Sequence, residues 1–475
     1  MAEEKKKRDG FGSKLGIIAA AAGSAIGLGN IYRFPCEMGN HGGGVFLLVY
    51  LAVVIFLGIP VMMSELVIGR RSQSNSVGAF KKLAPKSGWP IVGYIGVLCG
   101  FIIFAFYSTL SGWIVEYIVK AVSDSFNGMD DPSAIEQEFQ KFQDMGWRNV
   151  IWQTLFIILT GFVVFKGVQN GIEKYTKILM PLLLIILIIL AVRSLTLDGA
   201  MEGLSSLFKL DFSKGLGEVV LSALGQGFFS LSLGMGVMIT YGSYVKKNDN
   251  LTSTALSVVL ADTLIAVLAG LIIFPTAYSF HISVAGDGLV FNTLPLLFNK
   301  MPGGYWFCII FFVLLAIAAL TSTISLLEVI VAYISEELHM KRQWATVVAC
   351  MATIVLGAFA SLSLMSESPF VIGGQPVFKF MDFVSSNILL PLGGLLIVIF
   401  VGWKLGKKKF YDEVTNEGKL SSPLKKVVFF IIKYLAPLAI TIVLISGFIK
   451  KEEEPQKASE PVTTEQCQMV EEPMQ

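Results

Sequence analysis

Charge is what this chain has least of. Aspartate, glutamate, lysine and arginine together make up 15% of its 475 residues, against about 25% in soluble domains. Hydrophobic residues account for 54% and the mean hydropathy is +0.69, which excludes an ordinary soluble domain and reads as a polytopic membrane protein. Histidine is nearly missing: His41, His281 and His339 stand alone, so no metal cluster or histidine base is spelled out. Five cysteines (Cys36, Cys99, Cys308, Cys350, Cys467) form no CxxC pair and no metal spacing; most lie in apolar runs, where cysteine is a small core residue. The net charge of +2 comes without a basic patch interleaved with aromatics, so no nucleic-acid partner is expected. The charged start, residues 1–12, lacks a cleavable apolar signal, and the first span is expected to stay in the membrane.

What is present is apolar length. Runs near 14–39, 44–69, 90–121, 150–167, 171–193, 217–245, 251–279, 303–337, 341–363, 380–405 and 423–449 give about eleven candidate transmembrane helices and an all-α fold. Lysine and arginine gather in alternate connections: Lys5-Lys6-Lys7-Arg8, the 70–88 loop, Lys166 with Lys174 and Lys177, Lys246-Lys247, Lys341-Arg342 and Lys407-Lys408-Lys409. The 122–148 loop is acidic, with Asp124, Asp130, Asp131, Glu136, Glu138 and Asp144. The positive-inside rule then puts the tail at 1–13 and the loop at 406–422 in the cytoplasm of a cell (inner) membrane protein. The connection at 194–216 and a tail at 450–475, rich in Glu, Pro, Gln and Thr and expected to be disordered, fall outside.

Two of the apolar runs are interrupted. Gly23-Ser24-Ala25-Ile26-Gly27-Leu28-Gly29-Asn30-Ile31-Tyr32-Arg33-Phe34-Pro35 places three glycines, Asn, Arg and Pro inside the first. Gln226-Gly227-Phe228-Phe229-Ser230-Leu231-Ser232-Leu233-Gly234-Met235-Gly236 does the same in the sixth. Freed backbone groups at membrane depth are tolerated only where they line a cavity or hold an ion. Interruptions at corresponding positions of two halves point to a transporter site between inverted repeats. The halves are 14–193 (helices 1–5) and 217–405 (helices 6–10), with 423–449 appended.

Helix ends at a break offer N–H groups on one side and carbonyls on the other. The amides of Gly27, Leu28 and Gly29 suit a carboxylate; the carbonyls near Gly23, Ala25 and Ile26 suit a hard cation. Asp262 lies in an apolar run, where a carboxylate is either neutralised between helices or holds a cation or proton. Thr321-Ser322-Thr323 either bond back to the preceding turn or face a ligand. Tyr107 needs a partner, which backbone can supply. Arg33 and Asp382 either pair across an access path or sit at the water interface.

These words, with Gly42-Gly43-Gly44-Val45-Phe46, Gly58-Ile59-Pro60, Glu65 and Gly69-Arg70, resemble the neurotransmitter:sodium symporter family from about residue 8 to 449, and its bacterial eleven-helix amino-acid branch in particular. The resemblance implies Na+ at two sites: one from Ala25, Asn30, Ser230 and Asp262, completed by the substrate carboxylate, and one from Gly23, Ile26, Ala318, Thr321 and Ser322. It implies an amino acid held by Leu28, Gly29 and Tyr107 at its carboxylate and by Ala25, Phe229 and Ser230 at its amine. Ile103, Phe229, Ser232, Met235, Ser322 and Leu326 would shape the side-chain pocket, whose Gly-Met-Gly word suggests a large hydrophobic or aromatic substrate. Arg33 with Asp382 would close the outer path, and Arg8 with Glu336, braced by Tyr244, the inner one. Where animal relatives carry Asn and Ser, this chain has Asp262 and Ala266, so no chloride requirement is expected. Gly171 and Pro181 match a spacing linked in the family to local unwinding.

The expectation is therefore a sodium-coupled amino-acid symporter and not an enzyme, with the bilayer and a small molecule as its partners. An intramembrane enzyme would need paired carboxylates or a Ser/His pair, and a channel would need repeated filter loops. A transporter-like sensor, or a carrier of a different small zwitterion, stays open.

Overall fold

The computed structural model describes residues 10–129, 131–280 and 289–445. Arg8, His281 and the tail at 450–475 lie outside the described residues. The described residues are mostly helical, with one two-residue hairpin among them, Val371–Ile372 against Gln375–Pro376. Among the described residues, nine helices are long and apolar enough to cross a membrane; Lys14–Ala25 and Gly29–Asn40, bent by 52°, together make a tenth. The expected sixth span is two pieces, Leu216–Ser230 and Val237–Gly242, separated by an irregular stretch. The connections are less bare than the sequence suggests: Pro132–Asp144, Ala200–Phe208 and Lys407–Val414 are short helices.

The spans sort into two groups by packing. Pro90–Val122, Gly146–Phe165, Gly304–Glu337 and Arg342–Leu362 pack closely on one another, as a continuous four-helix frame. Lys14–Ala25 lies between that frame and Leu251–Ser279, while Leu216–Ser230 and Val237–Gly242 pack along Gly44–Val53 and Ile59–Ser72. One end of the molecule gathers the lysine-bearing connections. There Gln169 donates to the Gly10 carbonyl (2.7 Å), Lys246 to that of Gly12 (3.0 Å) and Arg70 to that of Asp249 (2.7 Å). The acidic connection lies at the other end, where Asp144 accepts from the Ser366 N–H (2.8 Å).

Proline shapes many of these helices without breaking them. Five of the seven π-helical turns among the described residues end two positions before a proline: Gly29–Arg33 before Pro35, Val54–Gly58 before Pro60, Leu289–Thr293 before Pro295, Val384–Leu389 before Pro391 and Ile431–Leu435 before Pro437. A proline ring crowds the carbonyl four residues back and offers it no N–H. Widening the turn just upstream relieves both problems. The fifth span likewise opens with a π turn, Val168–Glu173, and stays helical through Pro181 to Leu195. Gly171 and Pro181 thus sit in wound helix in this structure.

Candidate substrate and cation site

The first break forms where the sequence weakens the helix. Ser13 caps Lys14–Ala25, accepting from the Gly16 N–H (3.1 Å). At Ile26 the backbone turns extended (ψ 106°). Asn30 then competes for the backbone: its Oδ1 accepts the Gly27 N–H at 3.1 Å. Glycine at 27 is required by space, since a Cβ there would lie 2.5 Å from Ser322 Oγ and 2.9 Å from the Tyr107 hydroxyl. The second break runs through Ser232, Gly234 and Gly236, with φ of +53°, +86° and +76°. A serine at positive φ is strained; its Oγ donates to the Ser24 carbonyl (3.0 Å), tying one break to the other.

Asp262 lies between them, fully buried. Its Oδ1 accepts from Asn30 Nδ2 (2.7 Å) and Ser230 Oγ (2.8 Å), and its Oδ2 from the Tyr50 hydroxyl (3.0 Å). Asn30 Nδ2 also reaches Ser230 Oγ at 3.0 Å. Three of the residues expected at one cation site, Asn30, Ser230 and Asp262, are therefore in mutual contact, with Ala25 on the wall of the adjoining cavity. Tyr50 was not foreseen; it lies in an apolar run, where nothing local distinguishes it from a packed tyrosine. The second expected set also comes together. Thr321 Oγ1 donates to the Ala318 carbonyl (3.0 Å), Ser322 Oγ to those of Ser24 (3.3 Å) and Ile26 (3.4 Å), and a Cβ on Gly23 would stand 3.2 Å from Thr321 Cβ. The carboxylate, hydroxyls and carbonyls gathered here are oxygen groups, the kind a hard cation prefers, while Asn30 turns its amide nitrogen to Asp262 and its Oδ1 to the Gly27 N–H. Among the described residues no group of three His, Cys, Asp or Glu is placed to hold a metal ion.

Beside these groups is a small cavity of about 30 Å³. Ala25, Gly29, Ile103, Tyr107, Phe229, Ser230, Ser232, Met235, Ser322 and Leu326 line it, together with Ser24 and Gly27. Leu28 is not on its wall; its N–H donates to the Tyr107 hydroxyl at 3.0 Å.

The outer gate differs from expectation. Arg33 is not paired with Asp382. Its Nε lies 3.5 Å from Glu37 Oε1, one turn along the same helix, and its guanidinium sits 5.0 Å from the centre of the Phe229 ring. Asp382 accepts from Ser386 Oγ at 2.9 Å. The nearer acid wins because an i,i+4 pair costs no rearrangement. On the inner side Glu336 accepts from the Asn75 N–H (2.9 Å) and side chain (3.0 Å). The Tyr244 hydroxyl donates to the buried Glu328 (2.6 Å), which is also bound by Arg342 (3.0 Å), and the expected partner Arg8 lies outside the described residues. Phe11 seals this end, with its ring edge-on to Tyr241 and Tyr244 and its N–H on the Tyr244 carbonyl (3.3 Å).

With this geometry in place, comparison with known proteins is informative. The sequence pattern of the Sodium:neurotransmitter symporter family matches residues 8–129 and 129–462. An uncharacterised sodium-dependent transporter, YhdH of Bacillus subtilis, is 39% identical over 447 residues, covering 94% of this chain and 98% of the relative. The sodium-dependent dopamine transporter of Bos taurus is 24% identical over 463 residues, covering 86% and 65%. Among solved structures, that of MhsT in complex with L-phenylalanine superposes with a TM-score of 0.85 at 42% identity, over 93% of this chain and 100% of that one.

Proposed function

Because the chain belongs to the sodium:neurotransmitter symporter family, we propose that it carries an amino acid into the cell together with sodium, by alternating access to the cavity between its two broken helices. The observation that carries this is the meeting of Asn30 and Ser230, one from each break, on the buried carboxylate of Asp262.

In this reading Asp262, Asn30, Ser230 and the Ala25 carbonyl hold one sodium ion, and Gly23, Ile26, Ala318, Thr321 and Ser322 hold another. The substrate carboxylate completes the first site and is met by Tyr107 and the backbone at 28–29. Sharing that ligand makes sodium and substrate affinity reciprocal. Asp262 supplies a fixed negative charge beside the ion, so transport needs no chloride. Ile103, Phe229, Met235 and Leu326 leave an apolar compartment for a large hydrophobic or aromatic side chain; the complex of MhsT with L-phenylalanine agrees with that class. The lysine-bearing end faces the cytoplasm, the start of the chain is inside and its last span ends outside. On the outer path Arg33 lets go of Glu37 to reach Asp382 as the cavity closes.

Uptake of labelled tyrosine, tryptophan, leucine and glycine into proteoliposomes tests this. Accumulation of a large residue under an inward sodium gradient is expected, absent with potassium and unchanged when gluconate replaces chloride. Accumulation of glycine alone would remove the pocket argument. Sodium-dependent binding without counterflow would make the protein a sensor.

A further inference from the structure

The connection between Val377–Leu405 and Lys425–Ile445, with the first turns of the latter, carries eight lysines between positions 404 and 433. None has a carboxylate within 4 Å among the described residues. Lysines elsewhere in the protein do find acids: Lys81 pairs with Glu337 and Lys120 with Glu138. Here the best-placed acid is already taken, since Glu413 receives Arg70 Nε (2.8 Å) and Arg71 Nη1 (3.1 Å). That clamp, with Phe410 and Val414 buried, fixes the Lys407–Val414 helix and leaves Lys407, Lys408 and Lys409 exposed.

Two of these ammonium groups lie beside one ring. Lys407 and Lys425 lie 5.5 Å and 5.4 Å from the centre of the same ring, Tyr411. A ring face attracts each cation, but two like charges drawn to one ring still repel. An anion with several oxygens relieves that repulsion and suits charge-assisted hydrogen bonding. The surroundings indicate where such an anion would come from. Trp403 and Tyr434, edge to face at 6.3 Å, are both 53% exposed, and Phe430 is 60% exposed. Exposed aromatics at the end of a membrane helix mark the headgroup level, so the lysines meet lipid phosphates rather than open water.

We propose that this face binds the headgroups of anionic phospholipids, centred on Lys407 and Lys425 over Tyr411. The inference rests on the reading of the chain as a bilayer-spanning transporter, and not on its substrate or its orientation.

Spin-labelled lipids in vesicles holding the full-length protein provide the test. Phosphatidylglycerol is expected to be immobilised about threefold more than phosphatidylcholine at low salt, with the preference shrinking as salt is raised. The K407Q/K408Q/K425Q/K426Q variant should lose the preference, and the corresponding four arginine substitutions should keep it. Lys209→Gln with Lys300→Gln, at the opposite end, should change nothing. A preference that survives the glutamine variant overturns the proposal. So does one abolished equally at the opposite end, or one displaced by millimolar inorganic phosphate, which would mark a site for a soluble anion. If the fourfold variant does not fold, K407Q/K425Q alone is read in the same way. Both leaflets carry the same lipids, so the result is independent of orientation. A protein that prefers phosphatidylglycerol yet fails to accumulate amino acids separates this proposal from the transport reading.

Discussion

Buried hydroxyls and amides do different things in two parts of this protein. In the four-helix frame, Thr109 meets Ser361 at 2.9 Å, Ser361 meets Gln153, and Thr160 meets Thr323 at 3.0 Å. Every helix in that set is continuous, so the polar groups satisfy one another and hold the frame together. Around Asp262 the same residue types meet backbone that has left the helix, and they converge on a cavity. One helix shows both behaviours: within Thr321-Ser322-Thr323, Ser322 faces the Ser24 and Ile26 carbonyls while Thr323 turns to Thr160. Buried polarity alone does not mark a site; buried polarity beside broken backbone does.

The comparison can be broken most severely at Asp262. Asp262→Ala should weaken sodium binding by about 3 kcal/mol or more, about 100-fold, because a desolvated cation loses the one carboxylate that the protein supplies; sodium-dependent uptake and sodium titration of binding read it. Gly27→Ala should reduce substrate affinity by about tenfold, since its Cβ would overpack against Ser322 and Tyr107; binding isotherms at saturating sodium check this. Tyr107→Phe leaves the Leu28 N–H without its acceptor, a loss of about 1–3 kcal/mol, expected in substrate affinity with sodium affinity less affected. Thr323→Ala should do least. Uptake should stay within about twofold, and stability in detergent should fall by about 0.6 kcal/mol, the average for such contacts in membranes. If Thr323→Ala instead matched Asp262→Ala, the division between frame and site would be wrong.

Much of this was legible because glycine, asparagine and serine in apolar runs are costly and local. Both breaks follow from those words and Asp262 from a carboxylate in an apolar run, whereas the cavity walls were implied by the family resemblance. Tyr50 was not legible, since its hydroxyl gains meaning only when Leu251–Ser279 brings Asp262 to it. Arg33 was assigned to a distant acid by resemblance, although Glu37, four residues on, was the local partner the helix offers. Phe11 and Ser24 act through contacts that tertiary structure alone creates. The short helices of the connections were missed because, at 13, 9 and 8 residues, each is too short to stand out as an apolar span.

The prolines that follow π turns carry one more consequence. A π turn holds an extra residue, and one residue is about 100° of rotation around an α-helix. Each such proline therefore sets the angular phase of everything after it. Beyond Pro391 that phase points Gly393 at the second break, where a Cβ would lie 2.2 Å from the Gly234 carbonyl, and Gly394 at Phe228. Replacing Pro391 by alanine would let the turn relax to an ordinary one and swing a bulkier side chain into that contact. The residue that looks like a helix breaker on paper is what aligns this helix with its neighbour.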